Sequence, residues 1–137
     1  MLRRTLLTGA ALGAAALGVA TLTGASPAQA ATQTPYTPQA LGAAQEANKP
    51  ILIAVHADWC PICSKQKPVI QSLMQTPEFK DLVILVVDYD TQKDVLKTLG
   101  VTKQSTLIAL HGKAERARSV GVTGQEAIHA LMAQTKA

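Results

Sequence analysis

Cys60 and Cys63 are the two cysteines of a 137-residue chain, and they sit three apart in Trp59-Cys60-Pro61-Ile62-Cys63. A C-x-x-C pair has two chemical uses: reversible dithiol–disulfide exchange, or half of a soft-metal site. Tetrahedral zinc asks for four ligands, and the remaining imidazoles, His56, His111 and His129, stand at unhelpful spacings. Redox exchange is the better reading. The pair follows a short apolar run and opens a helical stretch, so Cys60 is expected at a helix N-terminus. There, free N–H groups and the helix dipole favour a thiolate. Cys63, one turn in, is placed to attack a mixed disulfide formed at Cys60. Spacing therefore assigns Cys60 as the nucleophile and Cys63 as the resolving thiol. Pro61 donates no N–H and Ile62 is apolar, so the turn adds no charge to tune the pair. No cofactor beyond this redox pair is expected.

These thiols need a frame, and the sequence outlines one. Thr37 can cap a helix that begins at Pro38 and ends near Ala47. Ile51 to Val55 and Leu82 to Val87 are continuous apolar runs, the pattern of strands buried on both faces. Ser64 to Met74 reads as a helix kinked at Pro68. Gln92 to Leu99 is a short helix ended by Gly100. Ser105 to Leu110 is a third strand, and His111-Gly112-Lys113 turns it into an edge strand over Glu115 to Val120. Thr123 is expected to cap a last helix carrying Ala127, Ile128, Leu131 and Met132. The expected class is α/β, a mixed central sheet of about four strands with helices on both faces.

Residues 1–30 read as a cleavable export signal. Arg3 and Arg4 start it, an apolar stretch from Leu6 to Leu22 follows, and Ala28-Gln29-Ala30 is a small-residue cleavage site. Arg3-Arg4-Thr5-Leu6-Leu7 also resembles a twin-arginine signal, so the secretory and twin-arginine routes both stay open. Residues 31–36 are expected to form a flexible leader and residues 37–137 the single domain. The formal charge of +4 includes Arg3 and Arg4, so eleven basic residues face nine acidic ones in the mature chain, leaving +2. That is too weak for a nucleic-acid partner. A periplasmic or otherwise exported location lets a disulfide persist. A monomer is expected.

Ala57-Asp58-Trp59-Cys60-Pro61-Ile62-Cys63, with Pro68 five residues beyond, resembles the thioredoxin superfamily and its exported thiol–disulfide oxidoreductases. Asp88-Tyr89-Asp90, Gly100-Val101, Thr106-Leu107, Gly112 and Gly121 extend the resemblance over nearly all of the mature chain. It implies a thioredoxin fold, protein thiol and disulfide substrates, and a membrane thiol-redox partner. It also makes Trp59 a lid beside Cys60 and a partner-contact surface. Three positions depart from the family pattern. Ser105 stands where the family usually has a cis-proline before Thr106, Ala54 replaces a buried Asp, and Val86 replaces the Lys that often pairs with it. A non-proline residue pays several kcal/mol to be cis, so a trans bond is expected to compete at Ser105. The Ser105 hydroxyl and N–H are candidates to bond a Cys60 sulfur. They also open an alternative function, a Cu or Zn binding module using Cys60, Cys63 and His56. His56 is otherwise a proton acceptor for Cys60 or a packed ring under the active-site loop. The direction of exchange leans towards a reductant or electron carrier.

Overall fold

A computed structural model describes residues 30–136. The expected signal, apart from Ala30, lies outside the described residues. The strands are β1 (Thr32–Pro35), β2 (Pro50–His56), β3 (Val83–Asp88), β4 (Thr106–His111) and β5 (Ala114–Val120). The helices are α1 (Pro38–Glu46), α2 (Pro61–Met74), α3 (Lys93–Leu99) and α4 (Gln125–Ala133). Short 3-10 turns at Pro77–Phe79 and Gln134–Lys136 complete the chain.

The strands lie in the order β1-β3-β2-β4-β5. β1 and β2 both run parallel to β3, whereas β4 is antiparallel to β2 and β5 to β4. This is a thioredoxin fold, a five-stranded mixed sheet with four helices. β2 is central because its side chains are apolar on both faces. Ile51, Ile53 and Val55 pack in one core with Tyr36, Leu85 and Leu96. Leu52 points the other way, into a second core with Ile70, Phe79, Ile84 and Met132. Each such side chain, removed from water, contributes roughly 1.5–3 kcal/mol.

Two expectations are corrected. Residues 31–36 are not a loose leader: Thr32–Pro35 forms β1, in register with Val83–Val86, and Tyr36 is buried. The fifth strand was hidden because all four residues of β1 are exposed and polar or Pro. An edge strand held by backbone bonds carries no hydrophobic signature. At α4, Gly124 is the N-cap and no side chain caps it, so Thr123 does not take that role. Elsewhere the elements lie close to expectation, although α2 starts at Pro61 rather than at Ser64. The Thr37 hydroxyl accepts the Ala40 N–H at 3.0 Å at the start of α1. Gly100 ends α3 in the left-handed conformation, φ 66°.

Candidate active site

The C-terminal ends of β2 and β3 and the start of α2 meet at the cysteines. β2 ends at His56, Ala57-Asp58-Trp59 turns the chain, and Cys60 becomes the N-cap of α2 with φ −86° and ψ 113°. Pro61 occupies the first helical turn, where a missing N–H does no harm. The Cys60 carbonyl accepts the Ser64 N–H at 3.1 Å, and its Sγ accepts the Cys63 N–H at 3.1 Å. A sulfur thus takes the capping role usually filled by a side-chain oxygen. The helix N-terminus directs its positive end at that sulfur, as expected from the spacing.

Both thiols are free and buried, Cys60 at 1% and Cys63 at 2% exposure. Cys63 lies beneath, its Sγ facing the Val55 carbonyl at 3.8 Å. Burial, and next the hydrogen bond with Cys60, push the Cys63 thiol up to about 11, although the Ala57 and Ser105 amides pull the other way. A thiol so placed holds its proton until an attack requires its release.

The side chains around the pair divide the work differently from the sequence expectation. Trp59 is 58% exposed, and its indole N–H donates to the Asp90 carboxylate at 2.9 and 3.2 Å. The residue that packs on Ala57, Cys60 and Cys63 is Tyr89. Its ring meets Trp59 edge-on at 6.2 Å, and Lys93 Nζ sits 4.1 Å from its centre. Its hydroxyl donates to the Thr102 carbonyl at 3.3 Å. Trp59 is therefore exposed, and Tyr89 is the cover. Ile62 is 40% exposed. Position alone did not reveal Tyr89; the signal was an aromatic residue between two acids at the end of a buried strand.

Ser105 is the clearest departure. No cis peptide bond occurs among the described residues, and Ser105 instead adopts φ 60°. Its N–H donates to the Val55 carbonyl at 2.9 Å and its hydroxyl to the Gln104 carbonyl. Neither group bonds Cys60, so the expected contact with that sulfur is not made. Proline fits neither this positive φ nor the donated bond. The Ser105 carbonyl accepts from Gly121 N–H at 3.1 Å and from Gln66 Nε2 at 3.2 Å. Gln66, buried at 3%, also donates to the Val122 carbonyl at 2.8 Å and so ties α2 to both loops facing the thiols. The sequence reading missed Gln66, whose polar type in a buried helix row was the available signal. Thr106 is buried and donates to the Lys103 carbonyl at 2.6 Å, which closes the turn before β4.

The imidazoles are separate from one another. His56 is half-buried, with Nε2 at 3.1 Å from Asp58 Oδ1. His111 Nδ1 bonds the Thr135 carbonyl at 2.8 Å and His129 Nε2 bonds Glu78 at 2.7 Å, both away from the thiols. Among the described residues, no three His, Cys, Asp or Glu side chains converge as metal ligands. The soft-metal alternative thus finds two sulfurs and, among the described residues, no third His, Cys, Asp or Glu side chain converging on them.

Comparisons with known proteins agree with this geometry. A family profile described as Thioredoxin matches residues 37–134. A thioredoxin of Mycobacterium tuberculosis is 31% identical over 81 residues, 59% of this chain and 69% of its own length. The crystal structure of Trxlp from Edwardsiella tarda superposes with a TM-score of 0.72 at 37% identity, covering 74% of this chain and 98% of that one. A Malassezia sympodialis thioredoxin, 21% identical with a TM-score of 0.67, covers 77% of this chain and 93% of its own and shares the fold.

Proposed function

The chain belongs to the thioredoxin family and is a protein-disulfide oxidoreductase with a Cys60–Cys63 pair, and from that premise we infer an exported protein that reduces disulfides in other exported proteins. Cys60 attacks the substrate disulfide, and Cys63 resolves the mixed disulfide and releases the reduced substrate. A membrane thiol-redox partner returns the electrons. Trp59, Ile62 and the Ser105–Thr106 turn form the surface that a substrate chain meets.

The observation that carries the reducing direction is the state of Cys63. A pair becomes oxidising when its reduced form is stabilised, chiefly through a stable thiolate. Here the resolving thiol is buried and its proton is held up to about 11, so Cys63 itself adds no thiolate stabilisation to the reduced form. The bond from Cys63 N–H is the one hydrogen bond that Cys60 Sγ accepts among the described residues. Export is supported by Arg3-Arg4, the apolar stretch and Ala28-Gln29-Ala30, and by a sheet that begins at Thr32, just past that site.

Equilibration of the mature protein with glutathione, followed by Trp59 fluorescence, tests the direction. A two-electron transition below about −230 mV, lost in Cys60→Ser, is the expected result. A potential near or above about −180 mV would reverse the assignment to an oxidant.

A further inference from the structure

Behind Cys63, between α2 and the sheet, lies a cavity of about 100 Å³. Ala54, His56, Cys63, Gln66, Lys67 and Val86 line it, with Gln33 of β1 at its side. Ala54 and His56 are two apart on β2 and so face the same way. Their parallel neighbours on β3 are Val86 and Asp88. The space exists because Ala54 and Val86 are too short to fill it. A water needs about 30 Å³ of liquid volume and two to four polar partners. This cavity has that room and offers the His56 ring and the Gln33 and Gln66 amides. Gln66 Nε2 is spent on Ser105 and Val122, which leaves Oε1 as that side chain's contribution.

We propose that His56 takes and returns the proton of Cys63 through water in this cavity. The proposal rests on the reading of Cys60 and Cys63 as an exchanging pair. When Cys63 resolves a mixed disulfide, its S–H proton passes to His56 as its sulfur bonds Cys60 Sγ. The Cys60–substrate S–S bond breaks, and the substrate sulfur leaves with the electron pair. The imidazolium then yields its proton to solvent or to the departing thiolate. In the reverse direction each step runs backwards.

The surroundings of the ring suit this task. Nε2 lies 3.1 Å from Asp58 Oδ1, which places the neutral ring's proton on Nε2 and leaves Nδ1 as the acceptor. Asp58 faces the ring from its own loop, and Asp88 from β3. Asp90 and Gln92 lie beyond in the adjoining groove, and Lys67 faces the cavity from α2. The N–H groups of Thr91 and Asp90 hold the Asp88 carboxyl below the usual carboxylate range, so it remains an anion. The need for an acceptor is plain from Cys63 itself, whose proton burial holds up to about 11.

Stopped-flow reaction of the reduced mature protein with dithiobis-nitrobenzoate separates the two thiols. The first coloured thiolate reports attack by Cys60, and the second reports resolution by Cys63. The second phase is expected to rise with pH across about pH 5–8, the interval in which imidazoles lose a proton. His56→Ala should slow that phase about 10-fold or more near neutrality and abolish the rise, with the first phase retained. Free imidazole in the buffer should restore it. His56→Gln, which keeps a polar partner for Asp58, gives the same readout if the alanine variant folds poorly. A second phase with unchanged rate and pH profile in these variants would overturn the role of His56. A wild-type protein that shows no second phase at all would remove the exchanging pair and this proposal together.

Discussion

Cys63 and Ser105 are where single side chains carry measurable consequences. The unfolded chain releases the Cys63 proton near the ordinary thiol value of 9.0, the native protein near 11, because burial disfavours the thiolate. Between those values the unfolded state sheds a proton that the native state keeps. Stability present below pH 9 therefore drains as the pH rises towards 11, by on the order of 2 kcal/mol. Urea unfolding of the reduced protein from pH 8 to 11 should show that slope, and Cys63→Ala should flatten it. The Tyr36 phenol, also raised by burial, adds a background common to both proteins. At Ser105 the positive φ of 60° sets a different test. Ser105→Val places a β-branched side chain in that conformation and should lower stability by about 1–3 kcal/mol in denaturant unfolding. Ser105→Gly, free of that strain, should stay within about 1 kcal/mol of the native protein. Equal losses in the two variants would mean that φ is not what matters there.

At the scale of elements, α2 and β1 are the instructive cases. α2 starts at Pro61 rather than at Ser64, because the Cys60 sulfur and Pro61 together make a competent helix start. The helix runs on through Pro68 to Met74, so this proline does not end it. β1 is the opposite case, a strand without an apolar pattern. It extends the sheet beyond β3 and brings Gln33 to the cavity behind Cys63. Tyr36, which follows it, is buried in the core with Ile53 and Leu85, and its carbonyl accepts from Gln92 Nε2 at 3.1 Å. A protein that begins at Thr37 loses this strand and that aromatic anchor. Its guanidinium midpoint should fall by the equivalent of about 3 kcal/mol or more, the scale of deleting one large buried side chain. An unchanged midpoint would return residues 31–36 to the status of a leader.

For the whole molecule the open dimension is place. The ordered sheet starts at Thr32, and Ala31 already packs against the core on the α2 side. Cleavage after Ala30 spares the fold, whereas cleavage a few residues later strips β1. The protein recovered from the extracytoplasmic fraction of cells is therefore expected to begin at Ala31 by intact mass. A chain that retains Met1 and stays in the cytosol would refute export. Among the described residues no helix is long and apolar enough to cross a membrane.

The sequence by itself determined the buried strands and the helix that follows the cysteines, and its spacing set the expected order of attack by Cys60 and Cys63. These follow from local rules: apolar runs, caps and spacing along one helix turn. It also exposed the departures at Ala54, Val86 and Ser105, because they are read position by position. What only the tertiary structure decided are the relations between distant segments. β1 is held by backbone bonds to β3, which leave no trace in side-chain pattern. Tyr89, rather than Trp59, covers the thiols because β3 ends beside the start of α2. Gln66 clamps Ser105 and Val122 across 39 and 56 residues of chain. His56 and Cys63 share a cavity because two short side chains, one on each of two neighbouring strands, leave space between them. Such contacts depend on how whole elements pack, and no local pattern specifies that.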